Sequence, residues 1–140
     1  MRLNLLLVAI TFLLSACSTS PLTKEQAQAV PASRVFDSGL QANLFNQATG
    51  KVVFIRDSGF TGAICHQFLY VNNLKVAELA SAEYIELTLR PGQHFLRIQY
   101  ESGMCSNSVA SQNLVLDAGE TQTYRSMSLA GGSLSLIRVN

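Results

Sequence analysis

From position 51 onward, apolar side chains recur in short runs that turn residues interrupt at close intervals. Lys51-Val52-Val53-Phe54-Ile55-Arg56 is an unbroken run rich in β-branched residues, which predicts a central strand covered on both faces. Asp57-Ser58-Gly59 ends it, and the stretch to Gly62 reads as a loop. Strands follow over 64–71 and 74–79, joined at Asn72-Asn73, because asparagine tolerates the positive φ of a two-residue hairpin. Residues 83–89 alternate, with Ile85, Leu87 and Leu89 facing one way and Tyr84, Glu86 and Thr88 the other. Arg90-Pro91-Gly92-Gln93 has the Pro-Gly order of a type II turn. A strand over 94–101 follows, with Leu96, Ile98 and Tyr100 on the His94 face. Strands over 112–116, 122–127 and 133–139, separated by Asp117-Ala118-Gly119-Glu120 and Gly131-Gly132, complete the set. Seven to eight short strands with no long helix between them predict a mainly-β antiparallel sandwich or barrel.

The part before position 51 reads differently. Val35, Phe36, Leu40, Leu44 and Phe45 recur near helical spacing and Asp37-Ser38 offers a cap, so a short helix is expected over 38–46, stopped by Gly50. Residues 18–33 carry Ser, Thr, Gln, Ala and two Pro with little apolar periodicity, which predicts a flexible tether. Sixteen residues of such coil span roughly 20–25 Å.

The first seventeen residues carry the most specific motif. Arg2 precedes an apolar run over 5–14, broken only by Thr11, and Leu14-Ser15-Ala16-Cys17 closes it. The run is too short for a spanning helix, which needs about 20 apolar residues. Its order of charge, apolar stretch and small residues is that of an export signal. It resembles bacterial lipoprotein signal peptides. That resemblance implies diacylglycerol on the Cys17 thiol, cleavage before Cys17, and acylation of the new amino group, giving the two or more acyl chains that hold a protein stably to a membrane. Ser18 rather than Asp after the cysteine implies sorting to the outer membrane. Expected organisation is therefore a signal over 1–16, a lipidated tether over 17–33, and one domain over 34–140.

Composition then narrows the function classes. Losing residues 1–16 removes Arg2 alone among charged residues and balances the two signs at nine each. With no basic stripe, nucleic acid is not an expected partner. Of the three cysteines, Cys17 goes to lipid, and Cys65 and Cys105 remain, a number that allows a single intrachain pairing. An exported compartment permits that disulfide.

The stretch from Tyr70-Val71-Asn72-Asn73-Leu74 through residues 83–89 to Arg90-Pro91-Gly92-Gln93-His94-Phe95-Leu96 resembles bacterial PEGA-like domains and related lipoproteins, over about residues 51–128. Those share a strand, short turn, strand, strand, Pro-Gly-x-His, strand layout. Asn72-Asn73 departs from their usual Asp/Asn-Gly hairpin. The resemblance implies a small prealbumin-like or immunoglobulin-like β-sandwich, and it brings no activity with it.

Candidate chemistry is sparse. Cys65-His66 and Met104-Cys105 carry soft ligands suited to Cu(I), but neighbours on a strand point to opposite faces, and a disulfide is the simpler expectation. No cofactor or metal is expected. His94 could act as a general base, yet no nucleophile motif accompanies it; the PEGA-like resemblance implies instead a structural residue whose ring bonds a neighbouring strand or turn. Asp57-Ser58 reads as turn chemistry. Arg90, Arg97, Arg125 and Arg138 are placed to pair across strands with Glu86, Glu101 or Glu120. The tail over 126–140 is low in charge and suits an edge strand able to accept a partner's strand.

The expected function is a membrane-anchored envelope lipoprotein, facing the periplasm, that serves as a non-enzymatic binding or structural module for another envelope protein or the cell wall. The loops over 57–63 and 101–110, drawn together by the disulfide, are its candidate contact regions. The alternatives are an accessory lipoprotein of a secretion or transport machine, for which fold analogy is the only warrant, and a periplasmic enzyme using His94 or His66.

Overall fold

The computed structural model describes residues 19–36, 47–101 and 104–140. Cys17 and the short helix expected over 38–46 lie outside the described residues. Among the described residues nine strands are present: β1 Gln28–Ala29, β2 Gly50–Arg56, β3 Gln67–Val71, β4 Leu74–Leu79, β5 Glu83–Leu89, β6 Gly92–Gln99, β7 Val109–Leu116, β8 Thr121–Ser128 and β9 Leu134–Arg138. They form a sandwich of a five-stranded sheet, in the order β1-β5-β2-β8-β9, and a four-stranded sheet, in the order β4-β3-β6-β7.

The expected eight strands from position 51 are all present, with corrections of extent: β6 runs two residues earlier than 94–101, and β7 begins at Val109, three residues before 112. Ile64, Cys65 and His66 belong to the turn before β3, which starts at Gln67. Pairing needs correction as well, because the sheets are not wholly antiparallel: β2 runs parallel to β8, and β1 parallel to β5. The reason is topological. The chain crosses between the sheets after β2, β4, β5 and β7, so β2 and β8, and β1 and β5, are neighbours without being consecutive, and hairpin logic does not govern their direction.

The core lies between the inner faces. Val52 and Phe54 of β2, Leu87 and Leu89 of β5, and Tyr124 of β8 are buried with Leu69, Val71, Val76, Leu79, Leu96, Ile98, Leu114 and Leu116 of the other sheet. The alternation of β5 is realised, with Ile85, Leu87 and Leu89 buried and Glu86 exposed. Asn72 and Asn73 take φ of 51° and 68°, the two left-handed residues that a type I′ hairpin requires. Gly92 takes φ of 130°, on the positive side that the Pro-Gly order announces.

The run over 51–56 is covered twice, as its composition predicts. Val53 and Ile55 face away from the core yet are 6% and 2% exposed. What covers them corrects the flexible tether. Residues 22–25 lie over this outer face, where Leu22, Thr23, Lys24 and Glu25 line one shallow depression with Val53, Ile55, Thr123, Arg125 and Val139. The segment is tied along its length. Ser20 N–H donates to Ser58 O at 2.7 Å, and Val30 N–H to Tyr84 O at 2.9 Å. Val35 then bridges to Ala77, and Phe36 N–H donates to Val76 O at 2.9 Å. Residues 28–36 thus satisfy first the open edge of β5 and then that of β4. Unpaired backbone groups on those two edges, rather than apolar periodicity, draw the segment in.

Candidate functional site

Strand directions send two sets of loops to opposite ends of the sandwich. Residues 57–66, 80–82, 104–108 and 129–133 gather at one end; the turns at 72–73, 90–91 and 117–120 gather at the other. The expected contact loops over 57–63 and 101–110, in their described parts, therefore share an end, and Cys65 and Cys105 join them in a disulfide with Cα atoms 6.0 Å apart.

That end is held by buried polar groups. The inward alternation of Val52 and Phe54 continues to Arg56, which is 2% exposed. Its guanidinium donates to Leu79 O and Gly62 O, each at 2.7 Å. Burial lowers the Arg56 pKa, against opposing pulls from Tyr100 and Glu83. One side chain thereby pins the loop after β2 to the end of β4. Beside it, Ser126 Oγ donates to Gln67 Oε1 at 2.6 Å, and Tyr100 Oη and Ser128 Oγ lie 2.5 Å apart. Gly62, at φ 69°, sits where a Cβ would come within 2.7 Å of Tyr100 Oη; only glycine satisfies both that approach and that φ.

The N-terminal segment meets the domain at this same end. Thr19 Oγ1 donates to Ser128 O at 2.8 Å. Gly59 packs so closely on Thr19 that an added Cβ would stand 2.9 Å from its Cα. Leu22 N–H donates to Asp57 Oδ1 at 3.1 Å, and Arg125 holds both Asp57 oxygens. The hydrogen bond to Asp57 raises the Arg125 pKa. Asp57 is therefore a buried anchor for the N-terminal segment rather than the turn residue expected, and Ser58 beside it bridges to Ser20. Sequence reasoning missed this, and it missed Arg56, although the inward alternation of β2 carried a visible signal for the arginine.

The histidines lie at opposite ends. His94 Nε2 donates to Arg90 O at 2.8 Å, and its Nδ1 lies 3.0 Å from Asn72 Nδ2, which leaves Nδ1 as the acceptor. Asn72 in turn accepts from Phe95 N–H at 3.0 Å. His94 thus ties the β3–β4 turn to the β5–β6 turn. His66, by the disulfide, turns its ring to Glu78, away from the buried Cys65. Cys65 and Cys105 spend their sulfurs on each other, and among the described residues no three His, Cys, Asp or Glu side chains stand close enough to hold a metal ion.

Of the expected arginine–glutamate pairs, Arg138 with Glu120 forms, at 3.1 Å. Arg125 takes Asp57 instead, Arg97 stacks 4.2 Å over the Tyr70 ring, and Glu86 pairs with Lys24 of the N-terminal segment. Glu101 binds Lys75 and accepts from the Tyr70 hydroxyl. β9 is an edge strand, with Leu134 buried and Ile137 exposed at 38%.

Comparison with protein-family models finds no match, and comparison with curated proteins finds none either.

Proposed function

We propose that the chain is a membrane-anchored envelope lipoprotein whose β-sandwich is a non-enzymatic binding or structural module. The observation that carries this reading is the Leu14-Ser15-Ala16-Cys17 motif placed two residues ahead of Thr19, whose hydroxyl donates to Ser128 O on the domain. A lipid on Cys17 holds the domain to the bilayer, and the paired Cys65 and Cys105 suit an oxidising compartment outside the cytoplasm. His94 is occupied in tying two turns together, which supports a structural rather than a chemical use of that ring. The likeness to PEGA-like domains belongs to the same reading, as does an outer-membrane address from Ser18.

The test is metabolic labelling with radioactive palmitate, with Cys17→Ala as the control. The expected result is label on the native chain, recovery with membranes, and loss of both in the variant. Recovery of an unlabelled, uncleaved chain from the cytosol overturns the reading.

A further inference from the structure

Among the described residues, the three most exposed large apolar side chains are Met104 at 92%, Ile64 at 84% and Phe60 at 81%. All three stand at the end where Thr19 docks. Ile64 and Met104 directly precede the two halves of the disulfide, and Phe60 follows Gly59, which packs on Thr19. Leu129, 41% exposed, lies in the third loop of this end. Residues 58–65, 104–108 and 128–134 contain no charged side chain. The opposite end carries Lys51, Arg90, Asp117, Glu120 and Arg138. Apolar exposure gathered at one end in this way marks a contact surface, and the lack of charge within these three stretches distinguishes the class of partner.

The tip is also preformed. The disulfide ties the first loop to the second. Ser106 Oγ donates to Gly132 O, and Leu134 N–H to Ser108 Oγ at 2.9 Å, which tie the second to the third. Presenting these side chains therefore costs little further ordering.

The length of chain ahead of Thr19 identifies the occupant. Only Ser18 separates Cys17 from Thr19, and the two residue steps between them span about 7 Å at most. A lipid on Cys17 thus enters the bilayer within that distance of the docking point beside Gly59 and Phe60. We infer that the uncharged tip formed by Phe60, Ile64, Met104 and Leu129 rests in the headgroup layer of the membrane holding Cys17, so that the anchor sets the domain's orientation as well as its location. This rests on the lipoprotein reading above. It replaces a domain swinging on a long tether with one standing on its tip, its charged end farthest from the lipid.

The chain has no tryptophan, so a single introduced indole reports its own surroundings. The full lipidated protein, carrying Phe60→Trp or Met104→Trp at the tip or Ala118→Trp at the far end, is reconstituted into phosphatidylethanolamine–phosphatidylglycerol vesicles with and without doxyl-labelled lipid. The expected result is a blue-shifted emission at positions 60 and 104 and quenching there several-fold stronger than at 118. Equal quenching at the two ends, or none at the tip positions, overturns the inference. Palmitate labelling of the same preparations separates the two failures. Labelled protein with an unquenched tip sinks the orientation alone, whereas unlabelled protein sinks the lipoprotein reading and the orientation with it.

Discussion

Arg125 grips Asp57 at two points, its Nε donating to Oδ1 at 2.9 Å and its Nη2 to Oδ2 at 2.7 Å. The carboxylate is 1% exposed and the guanidinium 17%. The same Oδ1 accepts the Leu22 backbone N–H, so one ion pair fastens the N-terminal segment over Val53 and Ile55. Removing one member of such a pair leaves an unpaired charge beside apolar surface.

Asp57→Asn is therefore expected to destabilise the domain by about 3 kcal/mol, and to open residues 19–27 to protease before the sandwich unfolds. Urea denaturation read alongside limited proteolysis checks both. A variant with native stability and an uncut N-terminal segment would show that the pair holds nothing.

The disulfide closes a loop of 40 residues. In the loop-entropy account this contributes about 4 kcal/mol, a large share of the ~5–15 kcal/mol typical of one domain. Cys65→Ala with Cys105→Ala should lower the urea midpoint accordingly. Thiol titration of native protein, denatured without reductant, should find neither cysteine free. Two titratable thiols there would remove the cross-link from the argument.

How much of this was legible before folding depends on the range of the interaction involved. β5 was legible because the burial of Ile85, Leu87 and Leu89 repeats every second residue, and the 72–73 hairpin because asparagine accepts positive φ. The course of residues 19–36 was not legible. Its ties are mostly backbone hydrogen bonds to the edges of β5 and β4, which no side-chain pattern announces. The parallel pairing of β2 with β8 joins residues about 70 positions apart, beyond any local signal. Arg56 falls between: its parity with Val52 and Phe54 pointed it inward, but its charge argued for solvent, and the carbonyls of Gly62 and Leu79 that decide the matter are assembled only by the fold.

Ala82 illustrates the same boundary at a turn. It takes φ of 62°, a left-handed conformation that costs an alanine about 1 kcal/mol more than a glycine. The position is fixed from outside, since Gln28 N–H donates to Ala82 O at 2.9 Å. Ala82→Gly should stabilise the protein by about 0.5 kcal/mol, the relief of strain being partly offset by the greater freedom of glycine in the unfolded chain. A lower thermal midpoint in the variant would contradict this.

Stability should fall on both sides of neutrality, for separate reasons. Burial alone would raise the Glu101 pKa, but hydrogen bonds from Lys75, Tyr70 and Gln99 outweigh it and hold the carboxyl below its ordinary 4.5. A folded pKa below the unfolded one means the unfolded chain takes up the proton first, so this contribution is complete above pH 4.5 and is lost as pH falls through the folded value. On the alkaline side, burial raises the Tyr124 pKa above 10.0, and its hydroxyl, donating to Gln122 Oε1 at 2.7 Å, is held protonated. Here the unfolded chain ionises first, so stability is complete below pH 10 and declines as pH rises through the folded value. Urea midpoints measured across pH should form a plateau with two falling limbs. Glu101→Gln should flatten the acid limb, and Tyr124→Phe should flatten the alkaline limb while leaving the acid limb in place. An acid limb unchanged in Glu101→Gln would assign it to other carboxylates and deny the Lys75–Glu101–Tyr70 cluster a role in acid stability.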